Sequence, residues 1–284
     1  MKPDISIKEA LRFGVERLVS QEEAHREAEI LLQAAMQVSR TYLYSHADQR
    51  LSNEQRTLYQ QTLTQRQQGV PIAYILGHRE FWSLDLIVTP DTLIPRPETE
   101  HLVEIALSQL DSTHNISLLD LGTGSGAIAL ALASERPQWH ITASDRSSNA
   151  LNVAQHNAQR LGLDSVTFIV SDWFQAFHQQ LFDAILSNPP YLSATDGHLA
   201  QGDLRFEPTS ALVGGPEGLE ALHVIIQQSY HHLNENGLLL LEHGYDQGDA
   251  VKKLLRQYGY HDIQCWQDWQ GLDRISGGRR ATSF

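Results

Sequence analysis

The sequence predicts an α/β fold built on a mostly parallel sheet, with a small helical module ahead of it. Three observations carry that prediction. From about residue 116 onward, short apolar runs of strand length alternate with segments of helical period, the pattern of successive βα units. A glycine loop, Gly122-Thr123-Gly124-Ser125-Gly126, directly follows the first of those runs. Ahead of them, residues 4 to about 70 show helical apolar spacing and little else.

Taken in order, Ile7, Leu11, Val15 and Leu18 mark a first helix, and Ala24, Ala28, Leu31, Leu32, Ala35 and Met36 a second. Ser52 with Gln55 three residues on has the form of a capping box. It opens a third helix through Leu58 and Leu63 to Gln68, where Gly69, Val70 and Pro71 stop it. This module holds no polar constellation that suggests chemistry and reads as a packing or partner-recognition bundle. Phe81 to Val88 alternates as a strand does, and with Tyr74 to Gly77 before it predicts a short hairpin bridging two domains. The expected boundaries are 1–72 for the bundle, 73–92 for the hairpin linker and 93–284 for the α/β domain.

Pro97 suits the first turn of a helix, Glu98 and Glu100 suit its positive dipole end, and Leu102, Val103, Ile105, Ala106 and Leu110 continue it. Strands are then expected at 116–121, 139–144, 166–170, 182–186 and 238–242, with helices from Ala127, over about 147–161 and over 218–233. The tail predicts a helix over about 247–258 and two strands, near 262–267 and 274–275. The loop 193–215 is long for a compact domain and is expected to gain its order from a partner.

Composition narrows the function. With 34 acidic against 21 basic residues in 284, the net charge is −13, so the average field repels nucleic acid and favours a basic protein partner. Direct nucleic-acid binding is not expected. No apolar run approaches the roughly 20 residues of a membrane helix, and Met1-Lys2-Pro3-Asp4 opens no signal peptide, so no membrane role and a cytoplasmic location are expected. The single cysteine, Cys265, excludes an internal disulfide framework and a thiolate-cluster metal site. The fourteen histidines are scattered without ligand spacing, His231 and His232 are expected to cap the solvated end of a helix, and no metal is expected. The chain is expected to act as a monomer.

The glycine loop bares backbone amides at the start of a helix, where a ligand can approach closely. Alone it suits a dinucleotide oxidoreductase about as well as an S-adenosylmethionine enzyme. Three further features favour S-adenosylmethionine: Asp120 ahead of the loop, Asp145 at the end of the second strand, and Asp172-Trp173 at the end of the third. One acid suits a cationic amino group, one both ribose hydroxyls, and a carboxylate with an indole suits an adenine.

Behind the fourth strand lies Ser187-Asn188-Pro189-Pro190-Tyr191. The prolines have no N–H and a restricted φ, and Asn188 is pushed toward extended geometry, so the loop is stiff and rich in acceptors. The Asn188 side-chain oxygen and the Pro189 carbonyl can receive both hydrogens of a planar –NH2 group, with the Tyr191 ring beside it. An amide or an aryl amine is the natural guest.

Asp120 to Gly126, Asn188 to Tyr191 and Ile94-Pro-Arg-Pro-Glu-Thr-Glu100 together resemble the peptide chain release factor glutamine methyltransferases, the HemK proteins. The resemblance spans nearly the whole chain, including the helical module and Arg205-Phe206-Glu207-Pro208 with Ala211-Leu212. It implies a Rossmann-like, seven-stranded class I methyltransferase domain joined by a β-hairpin to the bundle. It also implies methyl transfer from S-adenosylmethionine to the side-chain amide of the glutamine in the Gly-Gly-Gln motif of class 1 release factors. By the same resemblance Gly122, Thr123, Gly124, Ser125, Gly126, Asp145, Trp173 and Asn188 contact the cofactor; Asp120 and Asp172 are expected to bind it too, from their places at the strand ends. Asn188, Pro189, Pro190 and Tyr191 hold the glutamine. The alternatives are a ribosomal-protein glutamine methyltransferase, an adenine-amine nucleic-acid methyltransferase, an oxidoreductase and a non-catalytic S-adenosylmethionine-dependent binding protein.

Overall fold

The computed structural model describes residues 4–19, 23–111 and 114–282; the expectation for the amino terminus at residues 1–3 lies outside them. Two compact units result, Met1–Gly77 and His78–Phe284.

The smaller unit contains α1 (Ile7–Arg17), α2 (Ala24–Met36), α3 (Arg40–Ser45), α4 (Asn53–Gln67) and α5 (Ile72–Leu76). Ser52 and Gln55 form the expected capping box at the start of α4, and Ser6 with Glu9 forms another at α1. The apolar faces meet around Ile7, Leu18, Leu31, Leu32, Leu43, Tyr59 and Leu63, all buried. Gly14 lets α1 approach this centre: a Cβ there would lie 1.9 Å from the Tyr59 hydroxyl. Residues 72–76 are a helical turn and not the first arm of a hairpin. Ile72, Ile75 and Leu76 sit at helical spacing against the bundle core, Pro71 needs no N–H at a helix start, and Gly77 at φ +79 ends the turn.

In the larger unit the hairpin is β1 (His78–Phe81) and β2 (Leu84–Ile87), turned by Trp82 and Ser83 at φ +52 and +59. It is tied within this unit. The Asn157 side chain accepts from Ile87 N at 2.7 Å and donates to Ile87 O at 3.0 Å, and Arg160 pairs with Asp85. The division by contacts therefore falls at residue 77, inside the stretch read as a linker.

The remaining elements are α6 (Pro97–Gln109), β3 (Ser117–Leu121), α7 (Ala127–Glu135), β4 (His140–Asp145), α8 (Ser148–Leu161), β5 (Thr167–Val170) and β6 (Phe182–Ser187). They continue through α9 (Thr209–Leu212), α10 (Glu220–His232), β7 (Leu233–Glu242), α11 (Gly248–Gln257), β8 (Tyr260–Gln267) and β9 (Asp273–Arg280). Seven strands form one sheet in the order β5-β4-β3-β6-β7-β9-β8, parallel through β7 and antiparallel at β9 and β8. Side chains alternate between its faces: Leu118, Leu186, Leu238 and Leu240 join the core under α6 and α7, while Leu119, Ile185, Leu239 and Leu241 join that under α10 and α11. Burial on both faces explains the near-continuous apolar runs from which the strands were read.

Three local expectations change. β7 begins at Leu233, directly after α10, because a register shift absorbs Asn234 to Gly237. His232 does not simply cap a solvated end: its ring stacks on Phe174 at 4.6 Å and its Nδ1 lies 3.0 Å from Gln180 O. β9 runs to Arg280 although Gly277 and Gly278 interrupt its pattern, since a Cβ at Gly277 would lie 2.5 Å from Leu239 O. Close strand packing requires the residue that hides the strand.

Candidate functional site

The strand order reverses between β3 and β6, which opens a crevice at their carboxyl ends. The glycine loop leaves β3 there and the Asn188 loop leaves β6, with Leu121 paired to Ser187 in register. Adjacent strands lie about 5 Å apart, so the topology alone brings the two motifs together. Ser187 Oγ locks the junction by donating to Leu121 O at 2.7 Å.

The glycine loop is held mainly by its backbone. Gly122 N and Thr123 N both donate to Ser144 O, at 2.8 and 2.9 Å, and Gly124 N donates to Asp145 Oδ2 at 3.0 Å. Asp145 Oδ1 accepts from Ser147 N at 2.8 Å, which sets the carboxylate across the loop and the start of α8. Gly122 and Gly124 have φ of +73 and +57, and a Cβ on either would meet no atom within 4 Å. Their missing side chains leave open space where a ligand can lie on the backbone.

That space is part of a cavity of about 340 Å³ lined by Gly122, Gly124, Asp145, Asp172, Trp173, Asn188 and Pro190 among others. Trp173 is held in the left-handed region at φ +48, its carbonyl accepting from Ser171 Oγ at 2.8 Å. A bulky residue there is strained, and the strain sets an indole at the cavity wall.

The other residues singled out from sequence lie off the cavity wall. Asp120 is buried below the loop, where its Oδ2 accepts from Thr123 Oγ1 at 2.6 Å. Burial pushes its carboxyl up to about 7, with the charge of Asp145 adding to the effect and the Thr123 bond opposing it. Thr123 and Ser125 are buried, and Gly126 starts α7 at φ +88. Pro189 is buried and Tyr191 half-buried. Burial, with the nearby Glu242 charge, holds the Tyr191 phenol above its ordinary range.

Three parts of the site had no role assigned to them from the sequence, although Glu207, Pro208, Ala211 and Thr99 lie in segments that carry the resemblance. Asp91 to Leu93 line the cavity ahead of α6. Pro208, Ser210, Ala211, Val213 and Gly214 close its other side. Glu207 anchors that loop, accepting from Ile94 N at 3.0 Å and pairing with the Arg96 guanidinium. The 193–215 loop thus has structure of its own, with 3-10 turns at Gly197–Ala200 and Leu204–Phe206 and the short α9. Finally, Asn188 Nδ2 donates to Thr99 Oγ1 at 3.0 Å, and Thr99 Oγ1 donates to Glu242 Oε2 at 2.7 Å. Burial raises the Glu242 carboxyl to about 7, against the Thr99 bond and the Arg274 charge.

The residues fit S-adenosylmethionine: open space over two glycines, a carboxylate fixed beside them, and an indole at a cavity of ligand size.

Residues 9–77 match the PrmC N-terminal domain family, and residues 100–203 the methyltransferase small domain family. The chain is 48% identical over 253 residues to a release factor glutamine methyltransferase of Xylella fastidiosa, covering 89% of this chain and 92% of that protein. It is 47% identical over 269 residues to the protein of the same description from Escherichia coli K12, covering 95% and 97%. Among solved structures, a methyltransferase from Pyrococcus furiosus superposes with a TM-score of 0.54 at 20% identity, over 70% of this chain and 90% of that one, which shows a shared fold. With near-complete coverage at almost half identity, the chain belongs to the release factor glutamine methyltransferase family.

Proposed function

We propose that this enzyme methylates the side-chain amide nitrogen of the glutamine in the Gly-Gly-Gln motif of class 1 peptide chain release factors, with the Asn188 loop as the glutamine site. The observation that carries this reading is the placement of Asn188 and Pro190 on the wall of the cavity that Gly122, Gly124 and Asp145 also line. Acceptor and methyl-donor sites then meet at one switch point.

Bound S-adenosylmethionine supplies an already activated, electrophilic methyl group. The chain's task is to position a poor nucleophile, because the amide lone pair is delocalised into its carbonyl. Asn188 Oδ1 and Pro189 O accept the two N–H groups of the glutamine amide and turn the nitrogen toward the methyl; placement at about 3–3.5 Å supplies much of the rate. Tyr191 packs beside the amide plane. No side chain of the loop is a general base, and Glu242 is buried behind Asn188 and Thr99, where it accepts from the Thr99 hydroxyl, so the amide proton leaves to water.

A protein substrate suits the edge around the cavity. The turn between β8 and β9 lies at the carboxyl end of β7, where Glu242 pairs with Ile275. It carries Trp269 85% exposed, and Tyr245 beyond β7 is 62% exposed. Large exposed aromatics suit a macromolecular partner, and the net charge of −13 suits a basic one. No helix among the described residues is long and apolar enough to cross a membrane. A translation-factor substrate puts the enzyme in the cytoplasm, where it acts as a monomer without binding nucleic acid directly.

Incubation with labelled cofactor, purified release factors and ribosomal proteins, followed by peptide mass spectrometry, tests the reading. One methyl group on the Gly-Gly-Gln glutamine is expected. Label on ribosomal proteins alone would replace it with the ribosomal-protein branch.

A further inference from the structure

Asn188 can receive an N–H only if its oxygen, and not its –NH2, faces the substrate, and nothing in the loop sequence decides which end that is. The surrounding side chains do. Thr99, in the first turn of α6, and Glu242, the last residue of β7, are 4% and 1% exposed. A carboxylate only accepts hydrogen bonds, so at 2.7 Å the single proton of the Thr99 hydroxyl goes to Glu242 Oε2. The hydroxyl then presents lone pairs to Asn188, 3.0 Å away. An amide oxygen turned toward Thr99 would set acceptor against acceptor in a buried site, a costly arrangement. The amide nitrogen must therefore face Thr99, and Oδ1 is left to accept.

We propose that Thr99 and Glu242 are positioning residues for Asn188, dictating which end of its amide is offered to the substrate glutamine. This rests on the reading of the Asn188 loop as the glutamine site. The network joins α6, β7 and the loop after β6, so it also sets where that loop stands. Glu242 is faced by Thr99 and Glu98 from α6, Arg274 from β9 and Asn188, with the Tyr191 phenol close enough to sense its charge. Its carboxyl is raised to about 7, so near neutral pH it passes between a form that only accepts and a form that can also donate. Once protonated, it no longer dictates the direction of the Thr99 proton, and the preference of Asn188 is lost.

Thr99→Val, Thr99→Ser and Glu242→Gln separate this role from simple packing. With a release factor as substrate, Thr99→Val is expected to lower kcat about tenfold to a hundredfold, with both KM values changed by less than about threefold. Thr99→Ser, which keeps the hydroxyl, is expected to stay within about threefold of wild type in kcat. In wild type kcat should rise with pH through about 7, and Glu242→Gln, which can donate or accept at every pH, should lose that rise. On the cofactor-free protein, the Asn188 side-chain amide proton facing Thr99, observed by NMR, should exchange slowly in wild type and Thr99→Ser and faster in Thr99→Val, where Glu242 alone remains to accept from it. Equal losses in Thr99→Ser and Thr99→Val, or an unchanged Asn188 amide in Thr99→Val, would overturn the proposal. If the wild type methylated no protein glutamine, the functional reading would fail, while the NMR comparison would still decide the network. Melting curves of all three variants identify any that are unfolded; if Thr99→Val is among them, the pH profile of kcat in Glu242→Gln carries the test, and a rise through about 7 kept in that variant would overturn the proposal.

Discussion

The two loops that meet at the crevice are built in opposite ways. The glycine loop is organised by its own backbone and by the strand next to it: amides of Gly122, Thr123 and Gly124 reach Ser144 and Asp145, about twenty residues along the chain. The Asn188 loop is stiffened by prolines but aimed by side chains 89 residues away at Thr99, which in turn depends on Glu242, 143 residues further along. A cofactor shared by many enzymes can be held by generic backbone geometry. In the proposed glutamine site a poor nucleophile needs one oxygen aimed in one direction, and the buried Thr99 and Glu242 side chains are the network proposed to aim it.

The largest break in that contrast is Asn188→Ala. It is expected to lower kcat at least about a hundredfold while S-adenosylmethionine affinity stays within a few-fold, since an aimed acceptor acts mainly in the transition state. Single-turnover rates and calorimetric titration with the cofactor check it; turnover near that of wild type would refute the positioning role. Glu207→Ala comes next, because it leaves Ile94 N and the Arg96 guanidinium without their buried acceptor. A loss of about 2–3 kcal/mol of stability is expected, read in a denaturant melt.

Gly124→Ala probes the backbone-built loop. A Cβ finds space there but must adopt φ +57, and it occupies the surface a ligand would cover. About tenfold weaker cofactor binding is expected, with kcat at saturating cofactor little changed. A fall in kcat at unchanged affinity would mean the two loops are not separable.

The last prediction concerns pH. Asp120 and Glu242 are raised to about 7 by burial, so between their ordinary values and 7 the folded state binds protons that the unfolded state does not. Their stabilising contribution is full below the unfolded values and is lost as pH rises through about 7. His243, lowered by burial, works in the opposite direction in the same window. Asp120→Asn should flatten the decline in stability between pH 5 and 7. Denaturant melts of the cofactor-free protein across that range measure it.

The Ile94 to Glu100 stretch shows where reading by sequence stops. Pro97 opens α6 and Glu98 and Glu100 lie in its first turn, as local rules require. The remaining roles are all distant. Ile94 N and Arg96 hold Glu207, Thr99 links Asn188 to Glu242, and Glu100 accepts from Trp82 N at 2.9 Å. As a string, the segment is only a family signature. In the fold it is a junction at which four distant parts of the chain are tied to one helix start.

By itself the sequence determined the alternation of strands and helices, the glycine loop, the acids at strand ends and a stiff, acceptor-rich Asn188 loop. Each of these follows from local periodicity and backbone chemistry. Tertiary structure alone decided that residues 72–76 coil into the bundle, that Gly277 lies within a strand, and that Asp120 sits below the cavity and not on its wall. It also decided which end of the Asn188 amide is left to accept. That choice depends on where one hydroxyl proton goes, and the carboxylate that takes it reaches the site only when β7 is laid beside β6 and α6 packs against β7.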